Sequence, residues 1–153
     1  MSAHSVKVTI NGVEYEREVE ARKLLIHFVR DDLDLTGSHI GCDTGNCGAC
    51  SMIVNGTLVK SCMMLAVQAD GAQVETVEGL ADGDELTKLQ QSFSDHHALQ
   101  CGYCTPGMLM SATALLREHP NPTDEEIKRA LQGNICRCTG YWNIFEAVKA
   151  AGG

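Results

Sequence analysis

Apolar and polar residues alternate along residues 5–19, on both sides of Asn11-Gly12. Alternation with a period of two predicts β-strands, and Asn-Gly between two such runs is a strong signal for a tight hairpin turn. Residues 51–60 repeat this arrangement around Asn55-Gly56, and residues 74–77 predict one further short strand. Between these strands, apolar residues at helical spacing predict a helix over residues 23–33: Leu24, Leu25, Phe28, Val29 and Leu33.

The periodicity becomes helical after residue 84, where it predicts four helices, and residues 78–84 resemble a linker. Two of the helices carry start signals: a threonine cap followed by proline at the first helical position, and a Thr-x-x-Glu capping box. The pattern therefore predicts an α+β chain, with a mainly β domain over residues 1–78 and a helical domain over residues 79–153. The helices are marked by Leu86, Leu89 and Phe93; by Thr105-Pro106, Met108, Ala112, Leu115 and Leu116; by Thr123, Glu126, Ile127, Ala130 and Leu131; and by Tyr141, Ile144, Phe145 and Val148.

The composition excludes several classes of protein. The 153 residues carry a net charge of −8, and no cluster of Lys or Arg interrupts the acidic background. Nucleic acid and anionic lipid are therefore not expected partners, because both attract clustered positive charge. The N-terminus has no basic segment followed by an apolar stretch, and no run of about 18 apolar residues occurs, so we expect a cytoplasmic protein without a membrane span.

Eight cysteines carry most of the functional information. In a reducing compartment, grouped cysteines indicate metal ligands or redox catalysts rather than a disulfide framework. Four thiolates are the complement that holds one zinc ion or one iron-sulfur cluster, so two groups of four predict two metal sites. The first group is Cys42, Cys47, Cys50 and Cys62, and the second group is Cys101, Cys104, Cys136 and Cys138.

The first group has the spacing of a plant-type [2Fe-2S] site. Cys42, Cys47 and Cys50 form a C-x4-C-x2-C run, and Cys62 follows at a distance. We expect the glycines of this run, Gly41, Gly45 and Gly48, to take positive φ and to bring backbone N–H groups close to the sulfurs. A four-thiolate zinc site is the alternative.

The second group leaves three interpretations open. Cys101-Gly-Tyr-Cys104 alone is typical of a thiol-disulfide oxidoreductase, but that chemistry would leave Cys136 and Cys138 without a role. Zinc is possible because tetrahedral sulfur suits either metal. A cluster is favoured by two predicted helix N-termini, one at Pro106 beside Cys104 and one at Thr139-Gly140 beside Cys138, because their positive ends lower the free-energy cost of an anionic centre.

Three segments of this sequence resemble the iron-sulfur subunit of the xanthine-oxidase-type molybdenum hydroxylases, and the likeness spans nearly the whole chain. Within that family, Leu24-Leu-Ile-His-Phe-Val-Arg30, Leu35-Thr-Gly-Ser-His-Ile-Gly41 and the segment 59–69 are most similar to the small subunit of aerobic carbon monoxide dehydrogenase. The three family segments are Gly41-Cys-Asp-Thr-Gly-Asn-Cys-Gly-Ala-Cys50, Leu99-Gln-Cys-Gly-Tyr-Cys-Thr-Pro-Gly-Met108 and Gly133-Asn-Ile-Cys-Arg-Cys-Thr-Gly-Tyr141.

The resemblance implies a β-grasp, ferredoxin-like [2Fe-2S] domain followed by a four-helix [2Fe-2S]-binding domain. It implies a large partner subunit with a molybdenum-pterin cytosine dinucleotide cofactor and a medium partner subunit with FAD, assembled as a dimer of heterotrimers. Gln100 and Cys138 are implied to lie near the molybdenum cofactor. Any association with the inner face of the membrane would be peripheral and through the complex.

The function implied by the resemblance is electron transfer, with no catalytic residue on this chain. Oxidation of a substrate at molybdenum releases two electrons together, and two clusters in series would pass them singly to the flavin. The resemblance indicates carbon monoxide as the substrate, with an aldehyde, a purine or another N-heterocycle as the alternative. A structural zinc-binding module and a freestanding ferredoxin are alternatives from other classes.

Overall fold

The computed structural model describes residues 2–153. Its first half is built on a sheet of five strands: β1 (Ala3–Ile10), β2 (Val13–Glu20), β3 (Ser51–Val54), β4 (Thr57–Lys60) and β5 (Gln73–Glu75). The strand order in the sheet is β2-β1-β5-β3-β4. The two hairpins pair antiparallel, while β5 lies between them, parallel to β1 and antiparallel to β3. This mixed sheet, with a helical segment packed on it, confirms the predicted β-grasp arrangement.

Both predicted hairpin turns are present at the Asn-Gly pairs. Asn11 and Gly12 have φ of 51° and 81°, and Asn55 and Gly56 have φ of 49° and 79°. A two-residue turn with positive φ at both positions matches the twist of the strands that it joins, and Asn and Gly tolerate that conformation best. The local sequence therefore determines both turns.

The strand predicted over residues 74–77 lies over 73–75 instead, because Thr76 is held by the first hairpin turn. The Thr76 N–H donates to Asn11 Oδ1 at 2.9 Å, and Asn11 Nδ2 donates to Thr76 Oγ1 at 2.8 Å. The chain then enters a short 3-10 helix, Val77–Gly79. These two hydrogen bonds join residues 65 positions apart, so the prediction from local pattern was wrong at this strand end.

The helix predicted over residues 23–33 is shorter and partly of another type. It consists of one α-helical turn, α1 (Leu25–His27), followed by a π-helix over Phe28–Asp32. Leu25, Ile26, Phe28 and Val29 are fully buried and form the helical side of the first hydrophobic core. The Arg30 guanidinium donates to the carbonyl groups of Thr36 and Ser38, which ties the end of this segment to the chain leading to the first cysteine group.

The second half consists of four helices around a separate hydrophobic core, as predicted. The capping box is confirmed, since Thr123 Oγ1 accepts from Glu126 N at 3.3 Å and Thr123 N donates to Glu126 Oε2 at 2.7 Å. The helix predicted from Pro106 begins one residue earlier, at Thr105, with Cys104 as its N-cap and Pro106 in its first turn. The helices are α2 (Lys88–Asp95), α3 (Thr105–Glu118), α4 (Asp124–Leu131) and α5 (Trp142–Ala151).

The two halves are in contact along one side of α3. A Cβ on Gly107 would lie 2.2 Å from the Gly48 carbonyl oxygen, so the helix touches the backbone of the first cysteine loop. Val77 and Leu80 already pack against the helical core, and the domain boundary at residues 78 and 79 stays a prediction. Among the described helices, none is both long and apolar enough to cross a membrane.

Candidate metal centres

The first cysteine group lies at one end of the sheet. Cys42 and Cys47 are on the loop that leads into β3, Cys50 is the last residue before that strand, and Cys62 lies in a 3-10 helix directly after β4. Cys50 and Cys62 are buried, whereas Cys42 and Cys47 are half-buried. The β3-β4 hairpin therefore brings the distant fourth cysteine back to the other three.

Backbone N–H groups surround the Cys42 sulfur. Its Sγ accepts from Thr44 N at 3.4 Å, from Asn46 N at 3.3 Å and from Cys47 N at 3.3 Å. The Cys47 N–H and the Thr44 groups together lower the pKa of the Cys42 thiol to about 6. The loop therefore stabilises negative charge on this sulfur, as a thiolate ligand requires.

The glycines of this loop act in two different ways. Gly45 and Gly48 have φ of 77° and 74°, as predicted. The prediction of positive φ was wrong for Gly41. A glycine is required there because a side chain would not fit: a Cβ would lie 2.8 Å from Cys47 Sγ. The loop therefore depends on glycine both for its backbone conformation and for the room that the Cys47 sulfur occupies.

Cys50 and Cys62 form a close pair of thiols. Burial raises the pKa of the Cys62 thiol to about 11, and hydrogen bonding to Cys50 adds to the rise. Lys60 reaches over the same loop, where its Nζ donates to the Gly45 carbonyl at 2.7 Å. In the absence of a bound cation, this burial keeps the Cys62 thiol protonated, so it is a metal that would make Cys62 a thiolate.

The second group lies where two connections of the helical half meet. Cys101 and Cys104 are on the turn between α2 and α3, and Cys136 and Cys138 are on the loop between α4 and α5. Cys104 is the N-cap of α3, which confirms one of the two predicted helix N-termini. The other prediction was wrong, because α5 begins at Trp142, after Tyr141 has turned the chain with φ of 71°.

Cys104 and Cys136 form the close pair of the second group. Burial raises the pKa of the Cys104 thiol to about 12, and the hydrogen bond to Cys136 adds to this. Burial also acts to raise the pKa of Cys136, but hydrogen bonds together outweigh it and the net shift is downward. They come from the hydroxyl and N–H of Thr139, at 3.1 and 3.5 Å from Sγ, and from the Cys138 backbone and the Cys104 thiol. Cys101 Sγ accepts from Tyr103 N at 3.4 Å.

The two groups meet at one small cavity of about 180 Å³. Its lining includes Cys47 of the first group together with Cys101, Cys104 and Cys136 of the second. The walls are connected directly, since Ile135 N donates to the Cys47 carbonyl at 2.8 Å. Residues almost ninety positions apart are thereby brought into contact.

The donor sets fit iron-sulfur clusters better than single ions. Among residues 2–153, no three His, Cys, Asp or Glu side chains converge as the ligands of one ion. A zinc ion would need four thiolates, all about 2.3 Å from one point. Close pairs of thiols within each group of four instead suit a binuclear cluster, and backbone N–H groups directed at sulfur are the expected surroundings of an anionic iron-sulfur centre.

Gln100 and Cys138 are exposed, as is Cys101. The structure also reveals residues that sequence reasoning missed. Asn134 and Ser111 are buried: Asn134 connects the two halves by donating to the Gly48 carbonyl, and Ser111 donates its hydroxyl to Asn134. His39 stacks on Tyr103. No periodicity or spacing marks these residues, because each acts through a partner far away in the sequence.

Two family models match the chain, one for each half. A 2Fe-2S iron-sulfur cluster binding domain matches residues 8–87, and a [2Fe-2S] binding domain matches residues 76–149. The two matches overlap around the predicted domain boundary, and together they include all eight cysteines.

Relatives and solved structures agree with these matches over almost the whole chain. Nicotine 6-hydroxylase small subunit of Paenarthrobacter nicotinovorans is 51% identical, over 97% of this chain and 89% of that protein. Caffeine dehydrogenase subunit gamma of Pseudomonas sp. (strain CBB1) is 48% identical, over 98% and 92%. The solved quinoline 2-oxidoreductase of Pseudomonas putida 86 superposes with a TM-score of 0.95 at 45% identity, covering 98% of this chain and 94% of that one. With two 2Fe-2S domain matches and relatives this similar, the chain belongs to the family of iron-sulfur subunits of the xanthine-oxidase-type molybdenum hydroxylases.

Proposed function

We propose that this chain holds two [2Fe-2S] clusters in series and relays electrons from the molybdenum-pterin cofactor of a large subunit to the FAD of a medium subunit. The observation that carries the proposal is the cavity at which Cys47 of the first group faces Cys101, Cys104 and Cys136 of the second. Electron tunnelling weakens steeply with distance, so adjacent clusters favour a serial route.

In this proposal all eight cysteines are ligands. When bound, each cluster accepts and passes on one electron at a time. The protein contributes the surroundings: N–H groups of residues 44, 46 and 47 stabilise charge on Cys42, and Thr139 does the same at Cys136. Burial of Cys50, Cys62 and Cys136 keeps water from the sulfurs. We assign no acid, base or nucleophile of this chain to substrate chemistry. The ligands are Cys42, Cys47, Cys50 and Cys62 for one cluster and Cys101, Cys104, Cys136 and Cys138 for the other.

The proposed partners follow from the family. The relatives carry the names small subunit and subunit gamma, which supports a multi-subunit assembly for this chain too. Gln100 and Cys138 are proposed to face the molybdenum-pterin cytosine dinucleotide of the large subunit, and their exposure leaves them accessible to a partner. A dimer of heterotrimers and a cytoplasmic location stay predictions.

The names of the relatives favour an N-heterocycle as the substrate of the complex. Caffeine, nicotine and quinoline are all nitrogen heterocycles. The names therefore support an N-heterocycle, which the sequence indicated only as the alternative substrate. Carbon monoxide stays a prediction without specific support from these relatives. The choice between them belongs to the large subunit, where the substrate pocket would lie.

Metal analysis of the purified chain tests the proposal. We expect about four iron and four acid-labile sulfide per chain, and two distinct spin signals on reduction. Cys104→Ser should abolish the signal of the second cluster and leave the first, because a serine oxygen is a poorer ligand for this iron. Cys50→Ser is the matched variant, which should abolish the first signal and leave the second. Zinc without sulfide would contradict the proposal.

The complex provides the second test. Co-purification with two larger chains separates the proposed subunit from a freestanding ferredoxin. In the Cys104→Ser complex, we expect substrate to reduce the flavin far more slowly than in the wild type. Rapid flavin reduction would overturn the serial route, and parallel assays with carbon monoxide and with an N-heterocycle would decide the substrate class.

A further inference from the structure

His39 and Tyr103 are 64 positions apart in the sequence but stack on each other. Their ring centroids are 4.5 Å apart, and the ring planes differ by 21°. His39 lies three residues before Cys42, on the chain that leads into the first cysteine loop. Tyr103 lies between Cys101 and Cys104 of the second group. The stacked pair therefore joins the two cysteine loops at their N-terminal sides.

Two hydrogen bonds run in opposite directions across this stack. His39 Nδ1 lies 2.8 Å from the Tyr103 carbonyl oxygen, so this nitrogen carries the proton and donates. Tyr103 Oη donates to the Ile40 carbonyl at 2.6 Å. The backbone N–H of His39 also donates to the Ala49 carbonyl at 3.4 Å, which connects His39 to the end of the first loop.

Exposure shows that burial alone does not account for the position of Tyr103. The side chain is 51% exposed, yet a stack and a hydrogen bond from its hydroxyl hold the ring in one orientation. Tyr103 also lines the cavity shared by Cys47 and Cys104. An exposed aromatic residue that lines such a cavity and is held by a stack and a hydrogen bond restrains the cavity wall.

We propose that His39 and Tyr103 are positioning residues, which fix the spacing and relative orientation of the two cysteine loops. The inference rests on the proposed function, because it is the spacing of two clusters that the pair would control. Ile135 lies on a different connection, the α4–α5 loop that carries Cys136 and Cys138, and its N–H donates to the Cys47 carbonyl. Loss of the His39–Tyr103 pair would remove the stack and the two side-chain hydrogen bonds that link the first cysteine loop to the Cys101–Cys104 turn.

The test measures the magnetic interaction between the two reduced clusters in the full chain. This interaction depends on the distance and orientation between the clusters and is independent of turnover. We expect His39→Leu and Tyr103→Leu each to change the splitting that this interaction produces in the spin signals of the reduced clusters at low temperature. The iron and sulfide content should stay unchanged. The double variant should show the same shift as either single variant, because both remove one shared interaction.

Two further variants keep the result interpretable. Tyr103→Phe keeps the stack and removes only the bond to Ile40, so we expect a smaller shift. Trp142→Leu removes another exposed aromatic near the second group, but its ring stacks within α5 on Phe145, so the splitting should not change. An unchanged splitting in the double variant, or additive shifts, would overturn the proposal.

Amide exchange on the same samples separates this inference from the proposed function. We expect faster exchange in residues 39–50 when Tyr103 is replaced, and faster exchange in residues 101–104 when His39 is replaced. If the wild-type chain held no iron or sulfide, the proposed function would fail, but this cross-effect on exchange would still support the role of the pair. Exchange confined to the substituted loop would contradict it.

Discussion

At the scale of single residues, Asn134 is a buried polar group that connects the helical half to the first cysteine loop. Its Nδ2 donates to the Gly48 carbonyl at 3.1 Å, and its Oδ1 accepts from the Ser111 hydroxyl at 2.7 Å. The Gly48 carbonyl also accepts from the N–H and hydroxyl of Ser51, so it keeps partners without Asn134. The Ser111 hydroxyl is the group that would be left unpaired, in a residue only 2% exposed.

We expect Asn134→Ala to lower the free energy of unfolding by about 1–3 kcal/mol, because a buried hydroxyl loses its acceptor. Urea unfolding measures this. Ser111→Ala combined with Asn134→Ala should cost less than the sum of the single variants, since neither partner then remains unpaired. Asn143→Ala is the control: its amide donates to the His97 carbonyl at an exposed site, and we expect a change within about 0.5 kcal/mol. Equal losses at the two asparagines would argue against this account.

At the scale of elements, helix α3 determines how the two cysteine groups approach each other. Its N-cap is Cys104, and one turn later Gly107 touches the backbone of the first loop at Gly48 and Ala49. Glycine inside a helix is ordinarily less stable than alanine by about 0.5–1 kcal/mol. Here the close approach of helix and loop explains the glycine, because the contact leaves no room for a side chain.

Gly107→Ala should therefore destabilise the protein, although the same change stabilises an ordinary helix. The new methyl group would lie 2.2 Å from the Gly48 carbonyl oxygen and 3.0 Å from Ala49 Cα. Overpacking of this kind costs about 1–3 kcal/mol, which exceeds the gain in helix propensity. Gly133→Ala is the matched control, since its nearest neighbour would be Lys60 Nζ at 3.5 Å, an ordinary contact. If urea unfolding gave Gly107→Ala the same free energy of unfolding as Gly133→Ala, α3 would be free to move away from the first cysteine loop, and this explanation of Gly107 would be wrong.

At the scale of the whole molecule, a bidentate ion pair joins the sheet to the helical half at the other end of α3. Arg117 Nη1 and Nη2 each donate to Glu75 at 2.8 Å. The side chains are 51% and 39% exposed, so the pair contributes at most about 0.2–1 kcal/mol. The hydrogen bond from Arg117 lowers the pKa of Glu75 below its ordinary value of 4.5.

A lowered pKa has a defined consequence for stability. The ionised Glu75 carboxylate contributes fully to the free energy of unfolding above pH 4.5, the ordinary pKa of the group. This contribution is lost as the pH falls through the lowered pKa of Glu75 in the folded protein. We therefore expect Glu75→Gln to be less stable than the wild type at pH 7, and the difference to narrow below pH 4.5. Urea unfolding at several pH values measures it. Glu125→Gln is the control, because its pair with Lys128 stays within α4. A difference that grows towards low pH would contradict the assignment.

The amino-acid sequence by itself determined the two hairpin turns, the Thr123 capping box and the helical second half, and it predicts the grouping of the eight cysteines as four and four. Each of these depends on residues close together in the chain, or on ligand spacing that chemistry restricts, so a local pattern is sufficient. The tertiary structure alone decided that the two groups face one cavity, that β5 ends at Glu75, and that His39, Gly107 and Asn134 join the halves. These contacts form between residues that are tens of positions apart, and neither partner carries a local pattern that marks the other. The same physical reason explains why the eight cysteines could be predicted as ligands from sequence, whereas the residues that connect their loops could not.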